Sequence, residues 1–307
     1  MHISKKSSTF AAQKFLNMSE LVKRTLSGAV FVGCVVGSIL WSPYVFSGLF
    51  LVFCVLAVDE FHRLVQSPRA LRVYSFVLTL VLWATVECLA WRVEGSDAHL
   101  RVFGFSLSFA YLLLLIFALL DEIWNESGQP LKNWGHLLIS QTMIALPLAT
   151  LLFLAYLDKW VLLALFVLIW INDTGAYCVG SLTAKLPKGN HKMTPTISPK
   201  KSWEGLIGGF VFTLAGALIL WKCGWFDAII QTGLGLRTTI IFACLVSTFG
   251  TMGDLMESLL KRSVGVKDSG KFMPGHGGVL DRFDSVLLAG PVITAFCWIC
   301  YLLAPLF

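Results

Sequence analysis

Residues 1–25 are polar and basic (MHISKKSSTFAAQKFLNMSELVKRT), and from Leu26 the chain turns apolar in long runs that recur to its end. A helix that crosses a bilayer needs about 20 mostly apolar residues. By that length the pattern predicts nine spans, near 26–41, 45–58, 73–91, 102–120, 137–157, 160–180, 205–222, 238–260 and 285–306. The first two share one apolar stretch, broken at Trp41-Ser42-Pro43, where proline disfavours continuation of a helix. That stretch is longer than a signal-peptide core and has no convincing small-residue cleavage site, so it reads as retained. No linker, low-complexity tract or internal repeat interrupts the series. The expectation is an all-α polytopic integral membrane protein of about nine helices, a single membrane domain over 1–307 with an N-terminal tail over about 1–25.

Composition agrees. The 307 residues are 56% hydrophobic and 14% charged, with a mean hydropathy of +0.76, too apolar for two soluble domains. The formal charge of +6 fits topology and contact with membrane lipids better than a nucleic-acid partner. The eight cysteines are scattered through apolar runs, and Cys297-x-x-Cys300 lacks the context of a redox or metal pair.

Charge also sets an expected orientation. Of the 24 lysines and arginines, 19 fall in the N-terminal segment and the even-numbered loops, and five (Arg92, Arg101, Lys159, Lys222, Arg237) in the odd-numbered ones. Basic residues stay on the cytoplasmic side, which predicts a cytoplasmic N-terminus and cytoplasmic loops at 181–204 and 261–284.

Those two loops hold the candidate chemistry. The sixth span ends in FVLIWINDTGAYCVG, placing Asp173 after an unbroken apolar run, where a carboxylate is costly unless paired, hydrated or bound to a cation. The eighth ends in STFGTMGDLMESLLKR. There Asp254 and Glu257, at i and i+3, share a face whose like charges a divalent cation would reconcile, although Glu257 can also pair with Lys261 at i+4. Asp281 and Asp284 repeat the spacing around Arg282, and either can serve as a favourable acid at a helix N-terminus. Upstream, Pro-Gly-His-Gly-Gly (274–278) is a bend whose exposed N–H groups suit an anion. In KGNHKMTPTISPKKSWEG, Pro195 and Pro199 stiffen a segment carrying Lys200 and Lys201. Carboxylates for Mg2+, lysines and a glycine bend at membrane depth, without a Ser-His-Asp set, suit phosphoryl or nucleotidyl transfer with a lipid as second substrate.

The stretch SLLKRSVGVKDSGKFMPGHGGVLDRFDS (258–285) resembles the signature of phosphatidate cytidylyltransferases, the CDP-diacylglycerol synthases, and ISPKKSWEGLIGG (197–209) and DTGAYCVG (173–180) resemble that family's segments in the same order. The motif-bearing resemblance covers about 170–285. It implies the reaction of CTP with phosphatidic acid to give CDP-diacylglycerol and pyrophosphate, with Mg2+ as cofactor; the compact chain without long tails points to a bacterial plasma membrane as the host. It further implies Asp254 and Asp281 as metal ligands, and Lys267 and Asp284 beside them in the catalytic set. Asp173, Ser198, Lys200, Lys201, Ser202, Ser258, Lys261, Arg262, Lys271, His276, Gly277, Gly278 and Arg282 are the implied substrate contacts, and a homodimer is compatible with it. Ser181 stands where the family often has a basic residue; Lys185 or Lys188 are the expected substitutes. The competing readings are a CTP-using polyprenol-type kinase, a CDP-archaeol synthase, and a transporter whose intramembrane acids bind a cation.

Overall fold

The computed structural model describes residues 25–90, 98–125, 128–187, 189–227, 235–270, 272 and 277–303. Helices α1 (Thr25–Trp41) and α2 (Pro43–Leu64) meet at the expected break. Ser42 caps α2, its hydroxyl accepting the Tyr44 N–H at 3.2 Å, and Pro43 takes the first turn, where a missing N–H costs nothing. Then come α3 (Arg69–Ala90), α4 (Ala98–Leu120), one further turn at Glu122–Asn125, and α5 (Pro130–Leu157). After α6 (Lys159–Thr183) the chain forms a hairpin of β1 (Lys192–Thr194) and β2 (Ser198–Ser202) before α7 (Trp203–Lys222), α8 (Gly235–Ser263) and α9 (Leu280–Leu303).

All nine apolar runs are therefore helical among the described residues. Eight helices are long and apolar enough to cross a membrane, and α1 is a shorter apolar one. The protein is an all-α polytopic membrane protein with one antiparallel hairpin, Lys192 opposite Ser202 and Thr194 opposite Ser198. The N-terminal tail expected over 1–25 falls almost entirely outside the described residues. Helix ends depart from the apolar runs in one consistent way: α2 continues past Val58 to Leu64, and α9 begins at Leu280 rather than 285. Hydropathy falls where side chains reach water, but the backbone ladder continues, so charged residues ride on helical extensions of the spans.

The bundle is organised around α5 and α6, whose Leu148, Leu151, Leu152, Leu162, Leu165 and Leu168 are fully buried. By contrast α4 presents Phe103, Phe105, Phe109, Leu113 and Phe117 outward, the surface a lipid-facing helix needs. Within α5 the stretch Ser140–Ala145 is π-helical. Pro147 lacks the N–H that would bond four residues back, and the ladder slips in the preceding turn. Buried Gln141, in that stretch, donates to the Ser75 carbonyl at 3.2 Å and so ties α5 to α3.

Two features fix the end of the bundle that carries the hairpin and the 264–279 loop. Phe283, in the first turn of α9, is 1% exposed and packs ring against ring with Phe31 of α1 at 5.6 Å and with Phe50 and Phe53 of α2 at 5.3 Å each. This wedge sets the rotation of α9 and hence where its flanking acids point. At Gly253, α8 approaches α9 so closely that a Cβ would lie 2.5 Å from the Asp284 carbonyl oxygen, and only glycine allows that approach.

Candidate active site

Three of the carboxylates at this end of the bundle come one each from α6, α8 and α9. Asp173 lies on α6, and its neighbour Asn172, 2% exposed, fixes the local geometry. The Asn172 amide oxygen accepts from the Ser247 hydroxyl at 2.7 Å, and its NH2 donates to the Thr251 hydroxyl at 3.3 Å, joining α6 to α8. Asp254 lies on α8 and Asp284 on α9, and both Asp173 and Asp284 feel the charge of Asp254 and of Lys201. Lys201 folds in from β2, its ammonium 2.8 Å from the Asp254 carboxylate and 3.3 Å from the Thr251 carbonyl. Lys201 thus pairs with Asp254, and Asp173 borders the same cleft.

Two cavities flank this group. A cleft of about 320 Å³ is bordered by Asp173, Asp254, Lys200, Lys201, Ser202, Tyr177 and Met193, among others. A second cavity of about 350 Å³ lies between α1, α6 and α9, walled by Phe31, Val32, Phe166 and Trp170 and edged by Asp281, Arg282 and Asp284. Asp173 borders both. Among the described residues the Nε of Arg282 is buried without a hydrogen-bond partner, a donor available to a ligand entering there.

The remaining sequence-derived residues divide by position. Ser258 donates to Asp254 at 3.4 Å, a long contact. Ser202 caps α7, accepting the Gly205 N–H at 3.1 Å, and also borders the cleft. Arg262 donates to the Ile197 and Val266 carbonyls and so ties the hairpin to the end of α8. Ser198 opens β2, and Lys267 is exposed on the loop, bordering neither cavity. Ser181 bonds back to the Cys178 carbonyl within α6, and Lys185 is exposed. Lys188, Lys271, His276 and the Pro274-Gly275 half of the bend lie outside the described residues.

Lys261 is placed as a counterion. Its ammonium sits 2.6 Å from Glu257 and 2.6 Å from Asp281, with side-chain exposures of 11%, 1% and 7% respectively. For Glu257 this is charge compensation without a well-angled hydrogen bond. Asp281 also accepts from the Ser269 N–H at 3.0 Å, the Ser269 hydroxyl at 2.9 Å and the Gly278 N–H at 2.8 Å. Gly277, at φ +79, has no room for a Cβ beside that carboxylate. The described part of the glycine bend therefore cradles an anion, and the anion is the chain's own Asp281. Val279 N–H, one residue on, donates at 2.8 Å to Glu60 of α2. Glu60 was not legible as a site residue. Its only signal was an Asp-Glu pair just past the second apolar run, and nothing in the sequence relates that pair to a loop some 200 residues away.

Among the described residues no three His, Cys, Asp or Glu side chains form a ready metal cage. Mg2+ takes one or two carboxylates and completes its shell with water and substrate phosphates, so that ion does not require a ready cage.

Fold and site together define a polytopic membrane protein with an acid-and-lysine site at the junction of two cavities. The chain belongs to the cytidylyltransferase family, whose pattern matches residues 22–300. It is similar to phosphatidate cytidylyltransferase of Staphylococcus saprophyticus, 41% identical over 128 residues, covering 42% of this chain and 45% of that protein. The Staphylococcus aureus protein of that name is 42% identical over 128 residues, with the same coverages. That of Staphylococcus epidermidis is 38% identical over 135 residues, covering 44% of this chain and 47% of its own. The chain thus matches somewhat under half the length of these curated relatives.

Proposed function

We propose that the protein transfers the cytidylyl group of CTP to phosphatidic acid, giving CDP-diacylglycerol and pyrophosphate. The observation that carries this reading is the pairing of Asp254 with Lys201 in a cleft that shares Asp173 with a second cavity edged by Arg282 and Asp284. The relatives' name and the signature over 258–285 support it.

The triphosphate lies in the cleft against Lys200 and Lys201, and phosphatidate lies in the second cavity with its phosphate at Arg282 and its chains along Phe31, Val32, Phe166 and Trp170. A phosphatidate oxygen attacks the α-phosphorus of CTP, a new P–O–P bond forms, and the α–β bridging bond breaks to release pyrophosphate. The attacking phosphate monoester has a second pKa of about 6, so the oxygen is already anionic and no general base is required. Lysines and Arg282 bring two anions together and offset their repulsion. Mg2+, when bound, supplies neutralisation of the charge that builds on the leaving phosphates. Asp254 is the proposed ligand on α8 and Asp284 its nearest counterpart on α9. Asp281, the other expected ligand, shares its oxygens with Lys261, Ser269 and Gly278 and in this arrangement holds the start of α9 in place. Every residue invoked comes from one chain, so the reading requires no second copy. The site end is proposed to face the cytoplasm of a bacterial plasma membrane, as the basic loops suggest.

The test is direct. Purified protein in detergent micelles with CTP, phosphatidate and Mg2+ is expected to form a CDP-lipid, and chelation of the metal with EDTA to stop it. Absence of lipid product with intact, folded protein overturns the reading.

A further inference from the structure

We infer that Glu60 is a positioning residue for the reaction proposed above: from a different helix, it latches the loop that leads into α9. One Glu60 oxygen accepts from the Ser269 hydroxyl and the other from the Val279 N–H at 2.8 Å. These contacts join residues 209 and 219 positions apart in sequence, so they staple α2 to both ends of the 269–279 segment. Two glycines make room for the staple. A Cβ at Gly270 would lie 2.8 Å from the Glu60 carboxyl carbon, and one at Gly278 would run into the carboxylate itself.

The latch is coupled to Asp281 through a shared donor, since the Ser269 hydroxyl faces both carboxylates. Lys261 faces Asp281 from the other side. Glu60 therefore defines where α9 begins, and the start of that helix carries Arg282 and Asp284 to the edge of the second cavity. Glu60 borders neither cavity, so it acts through the loop rather than on substrate. A displacement of about 1 Å at reacting groups can cost up to about 100-fold in rate, which is the scale on which a lost latch acts.

Glu60→Leu keeps the bulk but removes both acceptors, so both ends of the latch are broken. The expected result is a fall in kcat of about 10- to 100-fold, with KM for CTP within about twofold, because the cleft lysines are untouched. Amide hydrogen exchange in the 277–283 peptide is expected to speed up by about tenfold relative to wild type, without change in the rest of α9. Unchanged kcat beside an active wild type overturns the inference, as does a lowered melting temperature with normal turnover per folded molecule. Should Glu60→Leu not fold, Ser269→Ala removes the shared hydroxyl alone and is expected to give a smaller fall in kcat and the same local exchange; wild-type exchange there would refute the latch. If the wild type makes no CDP-lipid, the functional reading fails separately, and the exchange measurement still decides the latch.

Discussion

Replacing Asp254 with Asn is expected to lower turnover by about 100- to 1,000-fold, the usual cost of removing one preorganised electrostatic partner from a reacting centre, while the bundle stays assembled. Asp254 pairs with Lys201 at 2.8 Å and lies within electrostatic reach of Asp173 and Asp284. Its stability effect runs the other way from its catalytic one. Removing one of three mutually repelling carboxylates relieves repulsion, while the Lys201 pair that is lost is 21% and 30% exposed and of modest worth. Melting in detergent is therefore expected to stay within about 1 kcal/mol of wild type. Residues kept for function at a cost to the fold behave this way. Near-normal turnover in Asp254→Asn removes this residue from the metal assignment.

Lys261→Met is expected to do the opposite, with its first effect on the fold. The substitution keeps the apolar stem and deletes the one ammonium that stands 2.6 Å from both Glu257 and Asp281. All three side chains are nearly inaccessible, so the discount that applies to surface ion pairs does not apply. Stranding buried carboxylates costs about 3–5 kcal/mol, a large part of the 5–15 kcal/mol that typically holds a domain together. A clear loss of thermal stability should appear in detergent, and Glu257→Gln in the same chain should recover part of it by removing one stranded charge. A destabilisation under about 1 kcal/mol, the surface-pair range, shows instead that water reaches the triad.

The contrast between these residues shows what the sequence carried and what it did not. Hydropathy placed the helices because burial in lipid demands long apolar runs, and the break at Ser42-Pro43 follows from proline chemistry alone. Asp173 and Asp254 stood out in the sequence as costly groups at membrane depth and Lys201 as part of a proline-stiffened basic segment, and the fold brings all three to one cleft. What one-dimensional spacing could not give is the facing of side chains across helices. Asp281 and Asp284 are three apart and share a helical face, yet one points to Lys261 and the loop while the other points to Asp254, because Phe283 fixes the rotation of α9. Lys261 reads as a phosphate contact in the signature and stands as a counterion in the fold. The hairpin at 192–202 was read only as a stiff loop, since it is too short for an alternating pattern to register. Glu60 illustrates the same limit at longest range: its partners lie more than 200 residues away.

The central claim is that CTP gives its α-phosphorus to a lipid phosphate at the Asp173–Asp254–Asp284 group. The most direct measurement follows two labels through one reaction, CTP carrying 32P at the α position in one tube and at the γ position in another, each with phosphatidate micelles, Mg2+ and purified protein. The account predicts that the α label enters the lipid as CDP-diacylglycerol and that the γ label leaves entirely as pyrophosphate, in equal amounts. Appearance of the γ label in the lipid, with release of CDP, would contradict it.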